Sequence, residues 1–128
     1  MAKITVEFLT KKGRVKISAE VVNTVKEKNR GLMFCKKLEF DSGMLFIYKG
    51  DEDSGFWMKN TYIPLDAIFL DADKKIVAIL HMNPAENPEE GPWPVYKPDV
   101  PYRYAIEVNA GFVKENEIRV GDKTNFVH

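Results

Sequence analysis

One hundred and twenty-eight residues, 45% hydrophobic and 30% charged, are enough to bury one core on folding, and this composition is too polar to enter a bilayer. Nineteen Lys and Arg balance nineteen Asp and Glu, which removes the positive field that binding to nucleic acid or an anionic lipid surface draws on. The longest apolar runs, such as Val77-Ala78-Ile79-Leu80, fall far short of the ~20 residues of a spanning helix, and the single Cys35 excludes an internal disulfide. No secretory apolar stretch follows Met1-Ala2-Lys3, so the expectation is one cytoplasmic domain over residues 1–128, with neither nucleic acid nor membrane as partner.

From the N-terminus, Ile4, Val6 and Phe8 alternate with Thr5 and Glu7, and after Lys11-Lys12-Gly13 the alternation resumes as Val15, Ile17, Ala19 and Val21, which predicts a β-hairpin. Thr24-Val25-Lys26-Glu27 fits a capping box, in which the Thr hydroxyl and the Glu carboxylate each satisfy a free backbone donor. A short helix over 25–30 follows, with Gly31 supplying the left-handed residue that ends it and Leu32, Met33 and Phe34 docking on the sheet. Strand patterns then dominate, at 44–48, 56–60, 65–71, 75–82, 102–109 and 123–127. Asp71-Ala72-Asp73-Lys74 has hairpin length, and residues 49–55 form a polar loop. Residues 84–101 hold six of the seven prolines, which cannot donate to a ladder, so this stretch reads as a long loop. Its Trp93, Val95 and Tyr96 predict a lid folded back over the sheet. The expected fold is mainly β: a β-sandwich or small partly closed barrel of seven to nine strands with one short α-helix.

Chemistry-bearing motifs are few. Asp41-Ser42-Gly43 and Asp53-Ser54-Gly55 spell the triplet of aspartic proteases, but each leads directly into an apolar strand and reads as turn chemistry. His81 and His128 are the only histidines and no Cys pair exists, so neither metal nor cofactor is expected. No Gly-x-Ser-x-Gly elbow or phosphate-binding glycine loop is present, and Cys35, beside Met33-Phe34, reads as a buried thiol.

More informative is Phe56-Trp57-Met58-Lys59-Asn60-Thr61, followed by Pro64-Leu65-Asp66. Asp66 shares a strand face with Ile68 and Leu70 and needs a partner if buried, for which Lys59 and Arg30 are the cations considered. In the strand 102–109 the residues Arg103, Ala105, Glu107 and Asn109 form the polar face, which places Glu107 toward solvent.

Arg30-Gly31-Leu32-Met33, Gly43-Met44-Leu45-Phe46, the Phe56 to Thr61 run, Pro64-Leu65-Asp66, Glu107-Val108-Asn109-Ala110-Gly111 and Gly121-Asp122 occur in this order over nearly the whole chain. Together they resemble the domain-of-unknown-function 192 family. The resemblance implies an all-β, sandwich-like domain with a small helical element and no established biochemical activity. Its glycines and apolar residues suit turns and core, whereas Arg30, Lys59, Asn60, Asp66 and Glu107 are long polar groups that must pair, cap or bind. With Trp57 and Trp93 they make a candidate site for non-catalytic binding of a polar small molecule or peptide, such as a saccharide, a peptide end or a metabolite. The alternatives are a hydrolase using Asp66 or Glu107 as general base, and a protein-protein interaction module using the proline-rich loop.

Overall fold

The computed structural model describes residues 2–128. The first alternation closes as a hairpin: β1 (Lys3–Thr10) runs antiparallel to β2 (Gly13–Val22), with Val6 opposite Ile17 and Phe8 opposite Val15. Helix α1 (Val25–Arg30) begins at the capping box: Thr24 Oγ1 accepts the Glu27 N–H at 3.1 Å, and Glu27 Oε1 accepts the Thr24 N–H at 3.3 Å. The backbone bonds from Asn23 and Thr24 hold the Glu27 carboxyl below its ordinary value. Gly31 ends the helix at φ 48°, with its N–H on the Glu27 carbonyl. No residue within α1 is buried, so its caps carry much of its stability. Thr24→Ala is expected to cost about 1 kcal/mol in urea unfolding, and a loss under a few tenths would show that the cap does not hold the helix.

α1 lies on the crossover that lets β3 (Ser42–Glu52) run parallel to β2, with Ala19 opposite Gly43. The chain continues through β4 (Phe56–Trp57), β5 (Leu65–Leu70), β6 (Ile76–Met82), β7 (Val95–Tyr96), β8 (Tyr102–Asn109), α2 (Phe112–Glu115) and β9 (Lys123–Val127). Seven strands form one sheet in the order β6-β5-β8-β3-β2-β1-β9, and β4 pairs with β7 as a separate ribbon. The large sheet curls until its two edges meet at one end. There the Ile76 N–H donates to the Asp122 carbonyl at 2.9 Å and the Thr124 N–H to the Lys74 carbonyl at 3.0 Å. The product is a mainly β half-barrel of nine strands, within the expected class.

The curled sheet is buried on its inner face and, over β3, β8 and β5, on its outer face as well. Ile4, Phe8, Ile17, Leu45, Ile68, Ile76 and Ile106 from six strands share one cluster, closed by Phe112 and Ile118, and fill the inside of the curl. On the outer face Met44, Phe46, Leu65, Phe69, Met82 and Tyr102 form a second cluster with Met58, against which Leu32, Phe56 and Tyr96 pack. The ribbon and the segment after α1 therefore act as a second layer over β3, β8 and β5.

β3 runs on to Glu52, which shortens the expected loop of 49–55 to residues 53–55, and three further local expectations change. The strand at 56–60 stops at Trp57, because the chain turns and Asn60 takes φ 52°, a conformation that Asn tolerates better than most residues. Residues 84–101 are not wholly loop: Val95 and Tyr96 pair with Trp57 and Phe56. The ribbon sits so close to Gly55 that a Cβ there would lie 2.6 Å from the Tyr96 carbonyl oxygen. The third change is α2, a second helix that the sequence reading lacks. Among the described residues no helix is long and apolar enough to cross a membrane.

Candidate functional site

On β8, Glu107 lies opposite Met44 of β3 and Ala67 of β5, which puts its side chain on the outer face with the second cluster. That face is covered, so the expectation of a solvent-facing Glu107 is overturned: it is only 5% exposed. Its carboxyl belongs to the lining of a cavity of about 440 Å³ between α1, β3, β4 and the turn after β4. Leu32, Met33, Phe46, Phe56, Met58 and Leu65 make the wall, while Val25, Trp57 and Val95, all well exposed, mark the mouth. Among the described residues no hydrogen bond or ion pair reaches the Glu107 carboxyl. Burial alone pushes its carboxyl up to about 8, so at neutral pH the group is mostly protonated.

Three cations line the same cavity, and each is held on an aromatic ring. Lys28 Nζ stands 4.0 Å from the centroid of Tyr48, the Arg30 guanidinium 6.0 Å from Phe34, and Lys59 Nζ 5.3 Å from Trp57 and 5.1 Å from Trp93. Burial lowers the Lys28 ammonium and raises the Tyr48 hydroxyl from their ordinary values. Glu52 completes the charged part of the lining.

The proline-rich segment does fold back. Trp93 meets Trp57 edge-on, with ring centroids 5.3 Å apart. The Pro88 carbonyl accepts both the Trp93 indole N–H at 2.8 Å and the Asn60 N–H at 2.7 Å, while the Asn60 carbonyl accepts the Phe34 N–H at 2.8 Å. Asn60 thus ties the segment after α1 to the proline-rich loop. Trp93 and Asn60 stand behind the cavity, and from the loop it is Val95 that reaches it. Arg30, Trp57, Lys59 and Glu107 are brought together in the lining.

Asp66 is placed elsewhere. Between Leu65 and Ala67 of the outer cluster, it points to the inner face, and neither Lys59 nor Arg30 pairs with it. Its Oδ1 meets His81 Nδ1 at 3.0 Å, and its Oδ2 accepts the N–H groups of Gly111 at 3.1 Å and Val113 at 3.2 Å. His81 Nε2 meets Asn83 Oδ1 at 3.0 Å. The bond to Asp66 raises the His81 pKa above its ordinary value against a smaller effect of burial. An NMR titration of His81 is expected to show a raised value that Asp66→Asn brings down; an unchanged titration would break the assignment to Asp66. Because the folded value is raised, the stabilisation from protonated His81 is present at acidic pH and fades as pH rises through that value.

Lys28, Tyr48 and Glu52 also line the cavity, and the sequence reading did not single them out. Their convergence depends on α1 folding across β3, for which no local pattern codes. Cys35, read as a buried thiol, is half-buried, with its Sγ donating to the Lys37 carbonyl at 3.1 Å.

A half-barrel whose outer face carries a cavity, with one largely buried carboxyl in its lining that has no protein partner among the described residues, defines a small cavity-bearing β domain. Among the described residues no cluster of three or more His, Cys, Asp or Glu could hold a metal ion. The chain belongs to the DUF192 family, described as "Uncharacterized ACR", whose profile matches residues 7–126. It is 32% identical over 73 residues to a UPF0127 protein of Pyrococcus abyssi, a match that covers 57% of this chain and 53% of that protein. The match thus spans about half the length of this curated relative. Among solved structures, one from Sinorhizobium meliloti, named as a candidate transcription regulator, superposes with a TM-score of 0.87 at 29% identity, covering 98% of this chain and 94% of the other. A protein of unknown function from Novosphingobium aromaticivorans gives a TM-score of 0.84 at 29% identity, covering 96% and 84%.

Proposed function

We propose that this domain is a non-catalytic binding module that holds a small ligand in the cavity beside Glu107. The observation that carries the reading is the carboxyl itself, 95% withdrawn from solvent, facing a cavity of about 440 Å³, and without a protein partner among the described residues. A carboxyl withdrawn from bulk solvent in this way loses hydration, and a ligand bound in the cavity can supply the hydrogen bonds that the protein does not. The volume falls in the range of small-molecule sites, and apolar walls with a few fixed polar groups are their usual lining. The test is a thermal-shift and NMR screen of a metabolite library against the whole protein. Ligands that fit should raise the unfolding midpoint and shift the amides of Glu107 and Met58. A library that moves neither sinks the reading.

A carboxyl with a pKa of about 8 also suits a general acid or base, so the hydrolase reading retains one observation in its favour. It needs a nucleophile, and the Thr61 hydroxyl in the cavity lining donates to the Lys59 carbonyl at 3.0 Å rather than to a base. Turnover of a bound ligand that disappears in Glu107→Gln would favour catalysis; stoichiometric recovery of the ligand favours binding.

A further inference from the structure

We propose that the cavity takes a ligand with a primary-amine head, whose ammonium sits on the Glu107 carboxylate, whose apolar body lies against Phe46, Phe56, Met58 and Leu65, and whose far end carries an anionic group toward Lys28, Arg30 and Lys59. The inference rests on the reading of this cavity as a ligand site and names the class of ligand.

The charges are arranged for a cation that the protein does not supply. Three basic side chains line the cavity, yet no ion pair joins any of them to Glu107, and each rests on an aromatic ring. The place beside Glu107 is thus left for an outside donor. Phe46, Met58 and Leu65 in the lining offer no side-chain hydrogen-bonding group, and the uncharged polar side chains there are Asn29, Tyr48, Ser54 and Thr61. A carboxylate or phosphate head could pair only with the protonated form of Glu107 and would be expelled as pH rises, the opposite pH dependence to that of an amine. An ammonium gains a charge-assisted hydrogen bond in surroundings of low dielectric, which a neutral hydroxyl does not. Toward the mouth the balance reverses, with Lys28, Arg30 and Lys59 against Glu52, and an anionic group is favoured.

Binding has a proton balance. The free protein holds a neutral Glu107 at pH 7, and the ammonium arrives charged, so forming the ion pair releases the Glu107 proton to solvent while the amine keeps its own. Affinity for an amine should therefore tighten about tenfold per pH unit between pH 6 and 8. The other ionisable groups facing the cavity are Lys28 and Arg30 from α1, Tyr48 and Glu52 from β3, and Lys59 after β4; β5 contributes only Leu65 and β7 only Val95. Burial moves Tyr48 upward, away from this window, and any loss of charge from Lys28 would weaken the hold on the anionic end, an effect of opposite sign.

The experiment is calorimetry and NMR on the intact protein with four probes of one length: ε-aminocaproate, hexylamine, caproate and hexanol, run beside the metabolite library. ε-Aminocaproate is expected to bind best, with shifts at Glu107 and Met58 and proton uptake by the buffer. Hexylamine should be weaker for want of the anionic end, and caproate at least tenfold weaker. Glu107→Gln should keep the fold and lose at least tenfold in amine affinity, along with the pH dependence. Caproate or hexanol binding as tightly as the amines, an amine affinity unchanged in Glu107→Gln, or library hits that all lack an amine would overturn this inference and leave cavity binding standing. If neither the probes nor any library compound binds, the binding reading itself fails, and this inference with it.

Discussion

Raising the pH from 5 to 8 is expected to destabilise the protein through Glu107 by about 1.4 kcal/mol per pH unit, several kcal/mol over the whole window. The unfolded chain ionises this glutamate near its ordinary value of 4.5, whereas the folded carboxyl keeps its proton up to about 8. Between those values the native state binds more protons than the unfolded state, so stability falls as pH rises. The protonated group does no harm below the unfolded value, and the full desolvation cost is reached above the folded one. Glu107→Gln preserves the shape without the titration. Its stability should lie within about 1 kcal/mol of the wild type at pH 5 and exceed it by several kcal/mol at pH 8. Urea unfolding of both proteins at four pH values measures the difference. His81 adds a weaker dependence of the same sign, which the variant retains and the comparison cancels. Parallel pH profiles for the two proteins would mean that water or a counter-charge in the cavity offsets the desolvation of Glu107.

Asp66→Ala is expected to cost about 2 to 3 kcal/mol. The carboxylate accepts the N–H groups of Gly111 and Val113 at the start of α2 and holds His81 on the neighbouring strand. Truncation leaves those two donors without an acceptor and removes bonds to a charged group, each worth more than a neutral one. It also loosens α2, whose Phe112 is buried with ring centroids 5.9 Å from Phe8 and 5.4 Å from Phe40. Asp66→Asn keeps an acceptor oxygen and should cost roughly half as much. Faster amide exchange confined to residues 111–118 would accompany the loss in the Ala variant. Because Asp66 and Glu107 lie on opposite faces of the sheet, the pH profile assigned to Glu107 should survive either substitution. Unchanged midpoints would show that α2 is held by Phe112 alone.

The parts of the fold that local chemistry specifies were legible in the chain. The N-terminal hairpin, the Thr24 to Glu27 cap, α1 and the strands Tyr102–Asn109 and Lys123–Val127 all rest on interactions between residues within a few positions or on a period of two. The family was legible too, because six short motifs appear in order. What the chain alone left open depends on contacts across long sequence separations. Helix α2 lacks a capping side chain of its own and takes its acceptor from Asp66, 45 residues before Gly111, so no local motif announces it. Alternation assigned Glu107 to the face opposite Ile106 and Val108, and that was right as phase. Whether the face met water was another matter, since a period of two says only that two faces differ. The outer face is covered because the segment after α1 and a ribbon of four residues, Phe56 and Trp57 with Val95 and Tyr96, close over it, and such short pairing carries almost no sequence signal. Sequence by itself determined the longer strands, their phases and the capped helix, since these follow from neighbours along the chain. The burial of Glu107, the parking of three cations on aromatic rings and the cavity between them were decided only by the tertiary structure, which sets which surface is stacked on which.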